Sequence, residues 1–164
     1  MNRFVIFNDE NPATTGGFCV SAFVIAKRNN GVLVGKIAQP EVWAEKWYLP
    51  LNYPHVWKGL WQLPATYLML GEHPDVAAQR VMREQLTVTE YKLGTPKIFA
   101  STMESKRRPG NIHNDIFFVY DAEIGQSIPQ LPWFSEIHYA DPQKVANMTF
   151  GRAHKDVLEA VGFV

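Results

Sequence analysis

The residues best suited to chemistry gather in one short stretch. Glu72, Arg80 and Glu84 fall in or beside a segment from Pro74 to about Thr87, where Val76, Ala77, Val81, Met82, Leu86 and Val88 recur at mixed three- and four-residue spacing. That periodicity predicts an amphipathic helix. On it Val81, Glu84 and Gln85, three and four residues apart, share one face. Hard divalent cations take oxygen ligands, carboxylates before all others. Glu84 supplies one, Val81 none, and the amide of Gln85 only a neutral oxygen that binds more weakly.

A second kind of chemistry is ligand binding. Trp43, Trp47, Tyr48, Tyr53, Trp57 and Trp61 could stack on a nucleobase, a contact worth about 1–3 kcal/mol per base. Arg107 and Arg108, beside Lys106, could clamp phosphate or RNA backbone, because guanidinium forks fit phosphate oxygens. Each group also has a plainer role. Aromatic side chains in a proline-rich loop anchor it to the core or form a homodimer interface, and a short basic turn is usually solvated.

The elements that must position these groups are readable in outline. Short runs rich in Phe, Val and Ile at 3–7 and 17–27 precede Asn29-Asn30-Gly31 and a further run at 32–37. Asn and Gly accept the positive φ of a tight hairpin turn. Residues 39–61 contain Pro40, Pro50 and Pro54 and read as a long aromatic loop. Strands are predicted near 95–102, 112–124 and 133–139, one helix opening at Asp141-Pro142, and another over 150–161 ending at Gly162. His73 and Pro74 mark the start of the helix over 74–87, with Asp75 near the positive end of its dipole.

Composition bounds the rest. The 164 residues are 46% apolar and 20% charged, as expected of one domain over residues 1–164 with its own core. Sixteen basic and sixteen acidic side chains cancel, so no global field draws in nucleic acid or an anionic membrane. The single cysteine, Cys19, lies in an apolar run and is expected to be buried in a reducing, cytoplasmic setting. Met1-Asn2-Arg3-Phe4 lacks the apolar core of a signal peptide, and no run of about eighteen apolar residues occurs. Neither secretion nor membrane spanning is expected.

The segment Leu63 to Val88 resembles the Nudix box, Gly-x5-Glu-x7-Arg-Glu-U-x-Glu-Glu-x-Gly-U with U aliphatic. The alignment needs no gap, and Glu72, Arg80, Met82, Glu84 and Val88 meet the pattern. The resemblance implies an α+β Nudix fold, a mixed sheet sandwiched between helices. The departures are equally specific: Thr66 stands for the first glycine, Val81 for the glutamate after the arginine, Gln85 for the second of the paired glutamates and Thr87 for the last glycine. Nudix enzymes cleave a diphosphate linked to another group, with magnesium neutralising the phosphate oxygens and activating water. The resemblance gives Glu84 the remaining metal position, Mg2+ held weakly or not at all, and Glu72 and Arg80 a bracing contact. Because some Nudix enzymes take a ligand or base from beyond the box, Glu104 and Asp115 are further candidates. GDP-mannose mannosyl hydrolases, which carry an apolar residue where Val81 stands, use a histidine base; His55, His73, His113 and His138 are named for that reason, His113 as the best placed.

Two functions follow. One is a divergent hydrolase of a nucleoside diphosphate linked to another group; the other is a catalytically inactive module that binds a nucleotide, nucleotide sugar or RNA.

Overall fold

Asn29 and Asn30 both adopt left-handed backbone conformations, φ 49° and 64°, as a two-residue hairpin turn requires. They join β2 (Phe18–Arg28) to β3 (Gly31–Ile37). The computed structural model describes residues 6–7, 18–39, 41–43, 57–104, 112–151 and 153–164, with the side chains of 6, 7, 103, 104, 112 and 113 outside the description. The remaining strands are β1 (Ile6–Phe7), β4 (Trp61–Gln62), β5 (Ala65–Tyr67), β6 (Tyr91–Leu93), β7 (Lys97–Glu104), β8 (Ile112–Ile124) and β9 (Phe134–Ala140). The helices are α1 (Pro74–Arg80), α2 (Pro142–Ala146) and α3 (His154–Ala160).

The strands form a mixed sheet with the central order β4-β3-β2-β8-β6. β2 runs parallel to β8, Cys19 opposite Asp115 and Ala26 opposite Ala122, and antiparallel to β5 along Ser21–Phe23. Beyond the hairpin, β3 diverges to pair with β4 and β9. A strand covered on both faces reads as a nearly unbroken apolar run, and β2 does. Ala22, Val24 and Ala26 join the core under α1, while Phe23 and Ile25 join the core under α2 and α3. Burial of Phe23, Val24 or Ile25 contributes about 1.5–3 kcal/mol each. The α+β sandwich expected from the sequence is therefore observed.

Several elements depart from expectation. The lead-in to the box forms the two short strands β4 and β5, and β6 adds a strand at Tyr91–Leu93. The last helix begins at His154, because Phe150 first bridges to Trp61 and Gly151 N donates to the Trp61 carbonyl. The box helix is α-helical only to Arg80. From Val81 to Gln85 it widens to a π-helix, with Leu86 N donating to the Val81 carbonyl at 3.0 Å. Thr87 follows with φ 54°, a left-handed residue where the box has glycine. Among the described residues no helix is long and apolar enough to cross a membrane.

Candidate functional site

At the start of α1 the sequence builds a closed polar brace. His73 caps the helix, its Nδ1 accepting from Asp75 N, and Pro74 occupies the first turn, where its missing N–H costs nothing. Gly71 takes φ 80° and turns the chain so that Glu72 faces back onto the helix. Arg80 donates from Nε and Nη2 to the two carboxylate oxygens of Glu72 at 3.0 and 2.9 Å. Its Nη1 donates to Thr66 Oγ1 and its Nη2 also to the Tyr67 carbonyl. Glu72 in turn accepts from Met69 N at 2.8 Å. The two side chains are only 9% and 7% exposed, so this fork is a buried, hydrogen-bonded ion pair rather than a surface one. Thr66, in the place of a glycine, is part of it.

The face expected to gather Val81, Glu84 and Gln85 does not exist as one face. Val81 and Gln85 are 1% and 2% exposed, whereas Glu84 is solvent-exposed. Gln85 continues the buried stripe of Ala77, Ala78, Val81 and Met82 at three- and four-residue spacing, and Glu84 falls on the solvent side of it. Gln85 Oε1 accepts from Ala65 N at 3.1 Å and its Nε2 donates to the Ala65 carbonyl at 2.9 Å. Only an amide can do both; a glutamate would set two acceptors against a carbonyl. The Gln85 carbonyl accepts from Trp133 Nε1, and the Trp133 carbonyl from Trp43 Nε1 at 2.7 Å. Trp43, 4% exposed, thus anchors the start of the aromatic segment to the box helix.

Beside this seam lies a pocket of about 60 Å³, larger than the roughly 10–15 Å³ needed for one water. Cys19, Ser21 and Phe23 alternate along one face of β2, Asp115 and Phe117 along β8, and Trp43 and Trp57 also line it. Phe23 and Phe117 meet edge to face, centroids 5.2 Å apart. Asp115 is buried and accepts from Cys19 Sγ at 2.6 Å. His154, at the first turn of α3, accepts from Leu63 N through Nδ1 at 3.0 Å, which fixes its proton on Nε2. Burial pushes its pKa down to about 3, so the ring stays neutral at physiological pH. Gln62 lines the same wall. It is 5% exposed, and among the described residues its buried Nε2 has no hydrogen-bond partner. An unpaired buried donor costs about 1–3 kcal/mol.

The other expected site residues are scattered. Trp61 is not in the pocket; its ring sits 4.5 Å from Lys36 Nζ and edge to face with the exposed His138. His73 is exposed as a helix cap. Glu104 closes β7 and His113 lies within β8 rather than in a loop, Met103 pairing with His113 and Glu104 with Ile112 along the backbone; their side chains lie outside the description. Lys106, Arg107, Arg108, Trp47, Tyr48, Tyr53 and His55 lie outside the described residues. Gln62 and His154, which most distinguish the pocket, are not singled out by the sequence. Nothing in their spacing could do so, because they are joined through the pairing of residues 61–63 with 150–154.

The residues present do not fit a centre of several magnesium ions. Val81 is apolar and buried, Gln85 is closed on the Ala65 peptide and Glu72 is held by Arg80. Among the described residues no three His, Cys, Asp or Glu side chains stand together as a metal-binding group.

This architecture, a mixed sheet between helices with the box helix braced as described, is the Nudix fold. Solved structures similar to the chain include the Nudix domain of Shewanella oneidensis NrtR in complex with ADP-ribose, at 15% identity and TM-score 0.58 over 93% of this chain and 92% of that one. MutT from Bacillus halodurans matches at 14% identity and TM-score 0.59, over 87% and 81%. An Ap4A hydrolase of Caenorhabditis elegans matches at 11% identity and TM-score 0.54, over 87% and 94%. No protein-family model and no curated protein matches the sequence.

Proposed function

We propose that this chain binds a nucleoside diphosphate derivative in the pocket between β2, β8 and α3 without hydrolysing it through the box helix. The observation that carries this reading is Gln85. Its amide is committed, donor and acceptor, to the Ala65 peptide, so the position that would present a carboxylate to magnesium holds the fold together instead. The pocket meanwhile keeps aromatic walls with a few polar groups, Ser21, Asp115 and His154, among them, the composition of a small-molecule site. Support for the ligand class comes from similar folds, one bound to ADP-ribose and another an Ap4A hydrolase.

Titration calorimetry of the full chain with ADP-ribose, a nucleoside diphosphate sugar and an RNA oligonucleotide, each with and without magnesium, tests the reading. The expected result is binding of a diphosphate compound whether or not magnesium is present, with no product on prolonged incubation. Absence of binding by either diphosphate compound would overturn it.

A second reading, a divergent hydrolase, rests on the solvent-exposed Glu84 and on Asp115 in the pocket wall. These could share one ion with substrate phosphates, Glu84 from the helix and Asp115 from β8. Magnesium-dependent turnover that Glu84→Gln abolishes would favour this reading over the first.

A further inference from the structure

The polar side chains that line the pocket differ in what they have left to offer. Asp115 accepts from Cys19 Sγ, Gln85 uses both ends of its amide on Ala65, and Thr66 Oγ1 accepts from Arg80 and donates to the Tyr67 carbonyl. Gln62 Nε2 is buried against Gly151. The Ser21 hydroxyl can turn to donate or to accept, so it discriminates little. His154 is different. Its Nδ1 accepts from Leu63 N, which fixes a hydrogen on Nε2, and no hydrogen bond answers that N–H among the described residues. Leu63 belongs to the core under α2 and α3 and is not part of the pocket's described lining, whereas His154 is. The two nitrogens of an imidazole point in nearly opposite directions. The edge turned to Leu63 N therefore faces out of the pocket, and the Nε2 edge faces in.

The ring is held there against local strain. Ala153, in the same wall, precedes it with φ 61° and no side-chain cap for α3. That conformation costs an L-residue roughly 1–2 kcal/mol, and strain of this kind gathers where ligands are clamped. Burial keeps the imidazole neutral at physiological pH. A neutral N–H among aromatic side chains suits an uncharged acceptor. The described lining holds no Lys or Arg, and the Asp115 carboxylate repels a phosphate. The rings of Phe23, Phe117, Trp43 and Trp57 suit a flat heterocycle instead. We propose that His154 is a base-recognising residue, its Nε2–H donating to a ring-nitrogen or carbonyl acceptor of a nucleobase seated in this pocket with the diphosphate outside. The proposal rests on the reading of the chain as a binder of nucleoside diphosphate derivatives and states which end of such a ligand enters.

Two replacements divide the work of the ring. His154→Asn keeps an acceptor, Oδ1, within reach of Leu63 N but is too short to bring a donor to the place of Nε2; His154→Phe removes both. Calorimetry on the full chain uses ADP and UDP, their nucleosides adenosine and uridine, and inorganic pyrophosphate. His154→Asn should recover most of the melting temperature that His154→Phe loses, yet both should bind the nucleotide about tenfold more weakly than the wild type, the worth of one hydrogen bond from a buried donor. The matching nucleoside should lose the same factor, and pyrophosphate none. In wild-type protein with isotopically labelled histidine, saturating nucleotide should shift the His154 Nε2 resonance and its proton. Wild-type affinity in His154→Asn, a loss seen with pyrophosphate and not with the nucleoside, or an unmoved Nε2 resonance would each overturn the proposal while leaving nucleotide binding intact. If the wild type binds neither ADP nor UDP, the functional reading falls and the proposal falls with it.

Discussion

Two neighbouring polar regions have opposite economies. In the brace, Glu72, Arg80, Thr66 and Gln85 are answered by one another or by the backbone of Ala65 and Tyr67. Beside it, Gln62 in the pocket wall has a buried Nε2 that no group among the described residues answers. A group satisfied within the chain stabilises the fold, whereas an unsatisfied one destabilises it. The difference teaches that the surviving box residues hold the scaffold, and that the capacity to bind has to be sought next door.

The sharpest way to break this contrast is to open the brace. Arg80→Met strands the Glu72 carboxylate in a site where it is 7% exposed, and a buried pair broken on one side costs about 3–5 kcal/mol. Urea denaturation should show that loss as a lowered midpoint at unchanged slope, and Glu72→Gln combined with Arg80→Met should recover part of it. A loss below about 1 kcal/mol would reduce the fork to the worth of a surface pair.

His154 gives the pocket its own signature, in pH. Its folded pKa of about 3 lies below the ordinary histidine value of 6.5, so folding favours the neutral ring. The stability this contributes is complete above pH 6.5 and is lost as pH falls toward 3. Near pH 4.5 the loss amounts to about 3 kcal/mol, two pH units of one proton's linkage. Denaturation midpoints across pH 7 to 4.5 should decline accordingly. His154→Phe should flatten the decline, although it also weakens the fold throughout by stranding Leu63 N–H. An unchanged slope in that variant would mean other groups carry the pH dependence.

Gln85→Glu restores a carboxylate of the box and so sets the two regions against each other. The new side chain cannot donate to the Ala65 carbonyl, and at 2% exposure the lost bond costs about 1–3 kcal/mol. Its carboxyl is pushed upward by burial, so acidification that protonates it should narrow the gap from wild type. If magnesium instead restores full stability at neutral pH, the helix face still accepts a metal and the brace is not purely structural.

The sequence made the scaffold legible and the pocket obscure, for identifiable reasons. Asn29-Asn30 marked the hairpin because only a few residue types tolerate positive φ, and the strand and helix runs followed from local periodicity. The sandwich itself was legible through the ungapped box from Leu63 to Val88. The burial of Gln85 was not, because the partner that makes an inward amide tolerable, the Ala65 peptide, lies twenty residues away in β5 and leaves no local trace. Gln62 and His154 were invisible for a different reason. They are 92 residues apart, the difference of their numbers, and meet only because Phe150 bridges Trp61 and Leu63 N donates to His154. Long-range pairing of short strands leaves no periodic trace in either segment.

Thr87 carries the smallest effect. It holds φ 54° directly after the π-turn, a conformation that costs an L-residue roughly 1–2 kcal/mol and a β-branched one no less. Val88 N donates to the Met82 carbonyl at 2.9 Å, which ties down the turn and keeps Thr87 in that conformation. Thr87→Gly removes the steric cost but loosens the unfolded chain, which returns about 0.4–1 kcal/mol. The net expectation is a stabilisation of about 0.5–1 kcal/mol with ligand binding unchanged, read from denaturant midpoints and calorimetry. Since Thr87 is exposed and touches neither the brace nor the pocket lining, a gain in stability accompanied by weaker binding would mean that the strained turn itself positions the pocket. That result would tie the turn to a pocket whose lining already includes Thr66 and Gln85 of the brace.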